Sequence, residues 1–261
     1  MSILLPFKLL LTPLLIGLVT RVGRRWGPAA SGWLMGFPLT SGPVSILLAL
    51  QYGQAFAGKA AVGTLGGMAS SCVFSLVYYL VSRSFGWQTS ATAGLLGFFL
   101  SIYCWNQLSL ALLPTFILSI VVIVLILMAL PNKTAEIRPN ITPRWDMPAR
   151  MAAAALFVLI LTTAANALGP KVSGMLSPFP IFTTVIAAFT HHQQGSQVST
   201  LMLRGLVLGS FAFNSFFLVV GYMLPVSSLV VAYGLATLAA LAVNSLALRF
   251  LRPRQPILPE G

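Results

Sequence analysis

Acidic residues are almost absent from this chain. Its 261 residues include three carboxylates against 15 lysines and arginines, for a net charge of +12. Glu136 and Asp146 fall in a central polar stretch that we interpret as a loop, and Glu260 lies near the C-terminus. We therefore expect no carboxylate within a membrane, which argues against an Asp/Glu proton relay and against sodium coordination.

Cysteine and histidine are also scarce. Cys72 and Cys104 lie in apolar stretches without metal-site or disulfide spacing, and we expect both to be small buried residues. His191 and His192 are candidate proton carriers, and a solvated pair at a helix end is the alternative. The chain has no Ser/His/Asp set, metal-ligand spacing or phosphate-binding loop. We therefore predict neither an enzyme nor a bound cofactor.

Apolar residues make up 57% of the chain and charged residues 7%, whereas a soluble domain carries roughly 25% charged residues. Several apolar runs reach the ~20 residues that cross a bilayer core of about 30 Å. We therefore predict an all-α integral membrane protein with nine transmembrane helices. The predicted spans cover about residues 3–20, 29–50, 57–82, 90–107, 109–130, 150–167, 173–191, 199–223 and 226–250.

The basic residues predict an orientation for these spans. With the N-terminus outside, eleven of the fifteen lysines and arginines fall on the inner side, and Arg204 lies near an inner helix end. The three on the outer side are Lys8, Lys59 and Lys171. This bias follows the positive-inside rule, so we expect a cytoplasmic C-terminus. Cations scattered over helix ends argue against nucleic-acid binding and for contact with anionic membrane lipids.

The chain also contains an internal repeat with an offset of 142 residues. The segment GPAASGWLMGFP at 27–38 recurs as GPKVSGMLSPFP at 169–180, with seven of twelve positions identical. Spans one to four then match spans six to nine, and span five reverses the direction of the second copy. We predict two inverted-topology repeats, 1–108 and 150–261, joined by a linking helix and cytoplasmic loop over 109–149.

Prolines interrupt spans two and seven at related positions, and each removes a backbone donor. We expect an unwound stretch near Phe37–Pro43 and a second near Ser177–Phe182, facing each other as a substrate site. Helix starts after Pro43 and Pro180 would favour an anionic or strongly polar group. The alternative is a pair of simple kinks. The candidate substrate-binding residues are Thr40, Ser41, Gly42, Phe182, Thr183 and Thr184.

Two cations begin the spans that follow the broken ones. Lys59 opens span three, and Arg204 lies near the corresponding position of span eight. Each is a candidate contact for an anion or a lipid head group. The alternative is that both side chains anchor helix ends at the membrane interface.

One stretch of the second half, GMLSPFPIFTTVIAAFTHHQQG at 174–195, resembles the second-span region of the GlpM family. These are short bacterial inner-membrane proteins with a similar FPxF core, carried here by Phe179, Pro180 and Phe182. The resemblance covers about one half-repeat, and the first half departs from it, with Thr40 at the position of Phe182. It implies a bacterial inner membrane and a half-repeat fold, and it implies no substrate.

Together these features predict a secondary transporter or facilitator of a small organic anion or polar metabolite, with its site where broken spans two and seven cross. Two alternatives stay open. One is a flippase for a lipid carrier of the polyprenyl phosphate type, and the other is a non-transporting scaffold of an envelope enzyme complex. The expected partners are membrane lipids and a small-molecule or lipid-linked substrate, and a homo-oligomer is compatible with the sequence.

Overall fold

The computed structural model describes residues 4–132, 145–168 and 179–251, and these ranges are helical with no strand among them. The all-α prediction is confirmed for this part of the chain. The helices are α1 Leu4–Trp26, α2 Pro28–Met35, α3 Ser41–Tyr52, α4 Gln54–Ser82, α5 Trp87–Leu108, α6 Leu112–Ala129, α7 Asp146–Leu168, α8 Ile181–Gln194, α9 Ser196–Met223 and α10 Leu229–Leu251.

Four of these helices, α4, α6, α9 and α10, are long and apolar enough to cross a membrane. Their most apolar windows are 61% buried in α4 and 67% in α9, but only 22% in α6 and 28% in α10. The first two therefore form the centre of the bundle, and the other two leave most of their apolar surface uncovered. This arrangement fits a membrane protein. The nine spans stay a prediction.

Two predicted helix boundaries can be compared directly with the structure. α5 ends at Leu108 and α6 begins at Leu112, so predicted spans four and five form separate helices. Predicted span two is two helices, because Gly36–Thr40 separates α2 from α3. The unwound stretch ends before Pro43, which lies in the first turn of α3, where a missing N–H removes no helical hydrogen bond.

Helix boundaries recur along the chain at the offset of the sequence repeat. α4 and α9 begin 142 residues apart, and so do α5 and α10. A single glycine joins α3 to α4 and α8 to α9, and these residues, Gly53 and Gly195, have φ of 90° and 88°. Both halves therefore use the same joint between consecutive helices.

The helices at corresponding positions of the repeat run antiparallel. In the pair α1 and α7, Arg24 contacts Asp146 at 2.6 Å, and a Cβ on Gly17 would lie 3.6 Å from Sδ of Met151. The later residue of α1 therefore meets the earlier residue of α7. In the pair α4 and α9, Sγ of Cys72 lies 3.5 Å from Oγ of Ser210. Near the start of α4, a Cβ on Gly58 would lie 3.5 Å from Pro225, just after α9.

The backbones of α2 and α9 touch through glycines. A Cβ on Gly32 would lie 1.7 Å from the carbonyl oxygen of Met202, and one on Gly205 would lie 2.1 Å from that of Ala29. No side chain fits at either position without a shift of the helices. Small residues allow this close approach, which brings the two backbones into van der Waals contact. The contact fixes α2 on the central helix.

Buried polar groups join α4, α6 and α9 at the centre. Oγ of Ser119 donates to Oδ1 of Asn214 at 2.6 Å, and Nδ2 of Asn214 donates to the carbonyl of Ser210 at 2.8 Å. The Cys72 thiol donates to Oγ of Ser210. Asn214, Ser119 and Ser210 are all inaccessible to solvent, and each has a partner, as buried polar groups require.

Candidate functional site

The two Phe-Pro segments, Phe37–Leu39 and Phe179–Ile181, have the same backbone hydrogen bond. The N–H of Leu39 donates to the carbonyl of Phe37 at 2.7 Å, and the N–H of Ile181 donates to that of Phe179 at 2.8 Å. Pro180, at the centre of the second turn, has φ −81° and ψ 60°, which are the angles of an inverse γ-turn. The two Phe-Pro turns are therefore equivalent, although residues 177 and 178 of the second predicted break lie outside the described part.

The candidate substrate-binding residues follow these turns. Thr40 and Ser41 are half-buried where α3 begins, with Gly42 buried beside them, while Thr183 and Thr184 are each only 4% exposed in the first turn of α8. The hydroxyl of Thr184 donates to the carbonyl of Pro180 at 2.8 Å. This bond is the one expected of a simple kink, so Thr184 is engaged with its own helix.

Apolar side chains from both Phe-Pro segments pack against one buried core. Leu39 belongs to the same apolar cluster as Phe179, Ile181 and Phe182. Among the described residues, no hydrogen bond joins the hydroxyls of the first break to those of the second. Phe182 is half-buried in this cluster. The structure therefore places both segments against the same apolar core, and no shared polar pocket of their hydroxyl groups is formed among the described residues.

Polar contacts hold both helices that follow the breaks. On α3, Oγ of Ser45 lies 2.7 Å from the hydroxyl of Tyr233 on α10. On α8, Nδ1 of His191 lies 3.1 Å from the hydroxyl of Tyr78, a fully buried residue of α4. His192 is exposed and its ring lies against Trp87. The two histidines therefore have different surroundings, and only His191 is tied to the interior.

The two candidate cations also differ. Arg204 donates through Nη1 to the carbonyls of Leu127 and Leu130, at 2.8 and 2.5 Å, so it caps the C-terminal end of α6. Lys59 is exposed and lines an open cleft of about 290 Å³ between α4, α5 and the start of α6. Arg204 thus has an evident structural role, whereas Lys59 faces open space.

A buried ion-pair cluster was missed at the sequence level. Asp146 was predicted to lie in a loop, but it begins α7 and is inaccessible to solvent, as is nearly all of Arg150 one turn later. Arg24 of α1 contacts Asp146 at 2.6 Å, and Gln193 of α8 donates to Asp146 and accepts from Arg150 at 3.1 Å. The loop prediction was wrong because the helix starts earlier than its apolar run.

This cluster determines the charge state of Asp146. Burial alone would raise the pKa of its carboxyl, but the hydrogen bond from Gln193 and the nearby guanidinium of Arg150 outweigh burial and hold the pKa below its ordinary value of 3.8. Asp146 is therefore an anion at neutral pH. Its i, i+4 spacing to Arg150 was the one sequence signal that pointed to this pair.

The cysteine predictions have different outcomes. Cys72 is buried, as expected, but Cys104 is exposed, so the prediction for Cys104 was wrong. α5 packs its neighbours Ile102 and Trp105 inward, with Trp105 lying over Gly66, which turns Cys104 outward. Within the described ranges, no three His, Cys, Asp or Glu side chains come close enough to hold a metal ion.

Comparisons with known proteins give no assignment. No family model, curated protein or solved structure matches the chain. The resemblance to the GlpM family therefore stays a prediction, and functional conclusions depend on the residues and geometry of this chain alone.

Proposed function

We propose that the chain is a bacterial inner-membrane transporter of nine spans in two inverted repeats, which carries a small organic anion or polar metabolite. The observation that carries this proposal is the pair of equivalent Phe-Pro turns, one in each half, whose residues Phe37–Leu39 and Phe179–Ile181 follow the offset of the sequence repeat. Interrupted helices in corresponding positions of two halves are the best pointer from sequence to a transport site.

The antiparallel direction of corresponding helices supports the inverted relation. α1 lies against α7 and α4 against α9, each pair with opposite directions, as expected for halves related by an axis in the membrane plane. α6 packs against both α4 and α9, and it has no counterpart in the repeat. Such a protein can alternate between two states of similar energy that expose the site to opposite sides.

The character of the proposed substrate follows from the charge of the chain. Asp146 is the one carboxylate among the described residues, and it is neutralised by two arginines. Helix N-termini at both breaks add positive potential where Thr40 and Thr183 lie. A site beside helix N-termini, without fixed negative charge, suits an anionic or neutral polar solute.

Topology gives the first test. We expect the N-terminus outside, the loop at Lys171 outside and the C-terminus in the cytoplasm. Alkaline phosphatase and green fluorescent protein fused in turn to the C-terminus report the side on which it lies. A C-terminus outside the cytoplasm would contradict both the basic-residue distribution and the inverted repeat.

Solvent access at the breaks gives the second test. In a background with Cys72→Ala and Cys104→Ser, single cysteines replace Thr40, Ser41, Thr183 and Thr184 and are exposed to an aqueous thiol reagent from each side. Arg83→Cys is an exposed control, and Ile123→Cys is a buried one. We expect labelling at the breaks from one side or the other. If all four resist the reagent in every condition while Arg83→Cys reacts, the breaks are kinks.

Transport itself is tested in proteoliposomes loaded with buffer and challenged with a panel of small carboxylates, phosphates and amino acids. We expect flux of at least one solute class, lowered by Thr40→Val and Thr183→Val in protein that still folds. Empty vesicles and the lipid-facing variant Gly234→Leu are the controls. No flux for any solute, with folded protein, would favour the scaffold alternative.

One observation favours the flippase alternative as a second candidate. The cleft beside Lys59 is open rather than closed, as a site for a lipid-linked head group requires. Scrambling of a fluorescent polyprenyl phosphate in the same vesicles, lost in Lys59→Gln, would support this function over solute transport.

A further inference from the structure

The cleft at Lys59 has the composition of a phosphate site. It lies where the first turns of α4 meet the end of α5 and the beginning of α6. Its polar lining residues are Lys59, Asn106, Ser109 and Thr115, and Trp105 also lines it. The hydroxyl of Thr115 donates to the carbonyl of Ala111 at 2.8 Å, so it is engaged within α6. Lys59 is the one charged residue of this lining, and its charge is positive.

The surroundings add to the positive potential. The N-terminal end of α6, at Leu112, opens beside the cleft, and no side chain caps its first N–H groups. The dipole of this 18-residue helix therefore directs partial positive charge to the same place as Lys59. The nearest competing anion within the described residues, Asp146, lies at the opposite end of the bundle beside Arg24 and Gln193.

Glycine keeps the cleft open. A Cβ on Gly63 would meet no atom within 4 Å, so this face of α4 borders empty space. One turn further, Gly66 lies against the ring of Trp105, where a Cβ would come within 3.2 Å. At the opposite edge Ser109 has φ 44°, a left-handed conformation that non-glycine residues adopt at a cost and that recurs at binding sites.

The size of the cleft limits what it can hold. A volume of about 290 Å³ is at the lower end of ligand pockets, which run from about 300 to 1,000 Å³. A phosphate group with a short polar extension fits, whereas a large solute does not. Because the cleft is open, the remainder of a larger molecule can extend out of it.

We propose that this cleft binds a phosphate group, with Lys59 as its counter-ion and Asn106 and Ser109 as hydrogen-bonding partners. The phosphate can belong to a lipid head group or to a free solute, and both share this chemistry. The proposal requires neither transport nor the inverted repeat, because it depends only on the contacts at one end of α4, α5 and α6. Its failure would therefore leave the transporter proposal untouched and would count only against the flippase alternative.

Two variants test the cleft without disturbing the core. Lys59→Gln removes the charge from an exposed side chain, and Gly63→Leu fills the cleft while keeping Lys59. Each has a matched control at another exposed position: one removes a positive charge, and the other replaces a glycine by leucine. Arg83→Gln removes an exposed charge at the other end of α4, and Gly234→Leu adds a side chain to an equally open position on α10.

Binding is measured on the full chain in phosphatidylcholine nanodiscs. One arm titrates inorganic phosphate against chloride at constant ionic strength and follows the shift in Tm. The other arm adds dioleoyl phosphatidic acid, a phosphate monoester lipid, and counts bound lipid by native mass spectrometry. We expect saturable binding in at least one arm, weakened tenfold or more by Lys59→Gln and by Gly63→Leu and changed less than twofold by either control.

The arms distinguish the source of the phosphate. Saturation by phosphatidic acid alone assigns a lipid head group, and saturation by inorganic phosphate assigns a free solute. The proposal is overturned if neither probe binds the wild-type protein. It is equally overturned if both cleft variants bind within twofold of wild type, or if Arg83→Gln loses as much affinity as Lys59→Gln.

Discussion

Nε of Arg150 lies 3.0 Å from both carboxylate oxygens of Asp146, one helical turn away on α7. The pair is almost completely withdrawn from solvent, with side-chain exposures of 4% and 0%. Arg150 also lies over the ring of Phe189, 5.0 Å from its centroid. Gln193 and Phe189 belong to α8, and Arg24 belongs to α1. The ion pair on α7 therefore connects α7 to both of these helices.

Loss of either partner of this pair should destabilise the protein strongly. Breaking a buried pair leaves an uncompensated charge, which costs about 3 kcal/mol or more. We expect Asp146→Asn and Arg150→Met each to cost about that much, and the double variant to cost less than the two together. Arg24→Gln should cost about 1 kcal/mol or less, because Arg24 is 36% exposed. Unfolding in detergent gives the ranking, and equal effects at all three positions would contradict it.

Stability should also fall in acid through Asp146. Its pKa is lower in the folded protein than the ordinary 3.8, so the folded state binds its proton less readily than the unfolded state does. The contribution of Asp146 to the free energy of unfolding is therefore fully present above the ordinary pKa. It is lost as the pH falls through the pKa of Asp146 in the folded state. Tm measured from pH 7 to pH 3 should decline more steeply for wild type than for Asp146→Asn. Parallel curves would show that another group is responsible.

The glycine contact between α2 and α9 should tolerate no side chain. A Cβ on Gly205 would lie 2.1 Å from the carbonyl oxygen of Ala29, and backbone cannot move aside as a side chain can. We expect Gly205→Ala to cost 3 kcal/mol or more, beyond the usual range of about 1–3 for overpacking. Gly234→Ala, on open surface of α10, should be neutral or slightly stabilising because it removes a helical glycine. Similar Tm values for the two variants would show that α2 packs elsewhere.

The scarcity of carboxylates leads to a prediction about energy coupling. If the protein is a carrier, we expect uniport or exchange, or proton coupling that depends on His191 and His192. His191 is the stronger candidate, because its Nδ1 contacts the buried Tyr78. Flux is measured with a pH gradient and a membrane potential applied separately. Steep proton-driven accumulation that survives His191→Gln with His192→Gln would show that the inference from missing carboxylates is wrong.

The sequence predicted the positions of the helix breaks more accurately than their chemistry. Pro38 lies between α2 and α3 and Pro180 immediately precedes α8, as the loss of a backbone donor at each proline predicts, so a local rule was enough. Pro43 did not extend the break, because its position within the first turn of α3 depends on where that helix starts. The hydroxyl of Thr184 bonds within its own helix, a choice of rotamer that composition does not determine.

Contacts between distant segments were beyond the reach of the sequence alone. The environment of Asp146 is built from α1, α7 and α8, and no local pattern reports that Arg24 and Gln193 arrive beside it. Arg204 and Lys59 looked alike as cations that begin corresponding spans. Arg204 caps the C-terminal end of α6, whereas Lys59 borders a cleft. The two environments differ because α6 has no counterpart in the repeat, and it ends beside Arg204 only.

Gly53 and Gly195 impose a requirement of handedness rather than of size. Neither has an atom within 4 Å of the place where a Cβ would stand, so the space would admit alanine. Their angles, φ near 90° with ψ of 158° and 170°, belong to a region that L-residues enter at a cost of about 1–3 kcal/mol. The mirror image of this conformation is ordinary extended backbone. For D-alanine, introduced at either joint by chemical ligation, this backbone conformation is the ordinary extended one, whereas L-alanine is strained in it, which makes chirality the property that the backbone selects at these two positions.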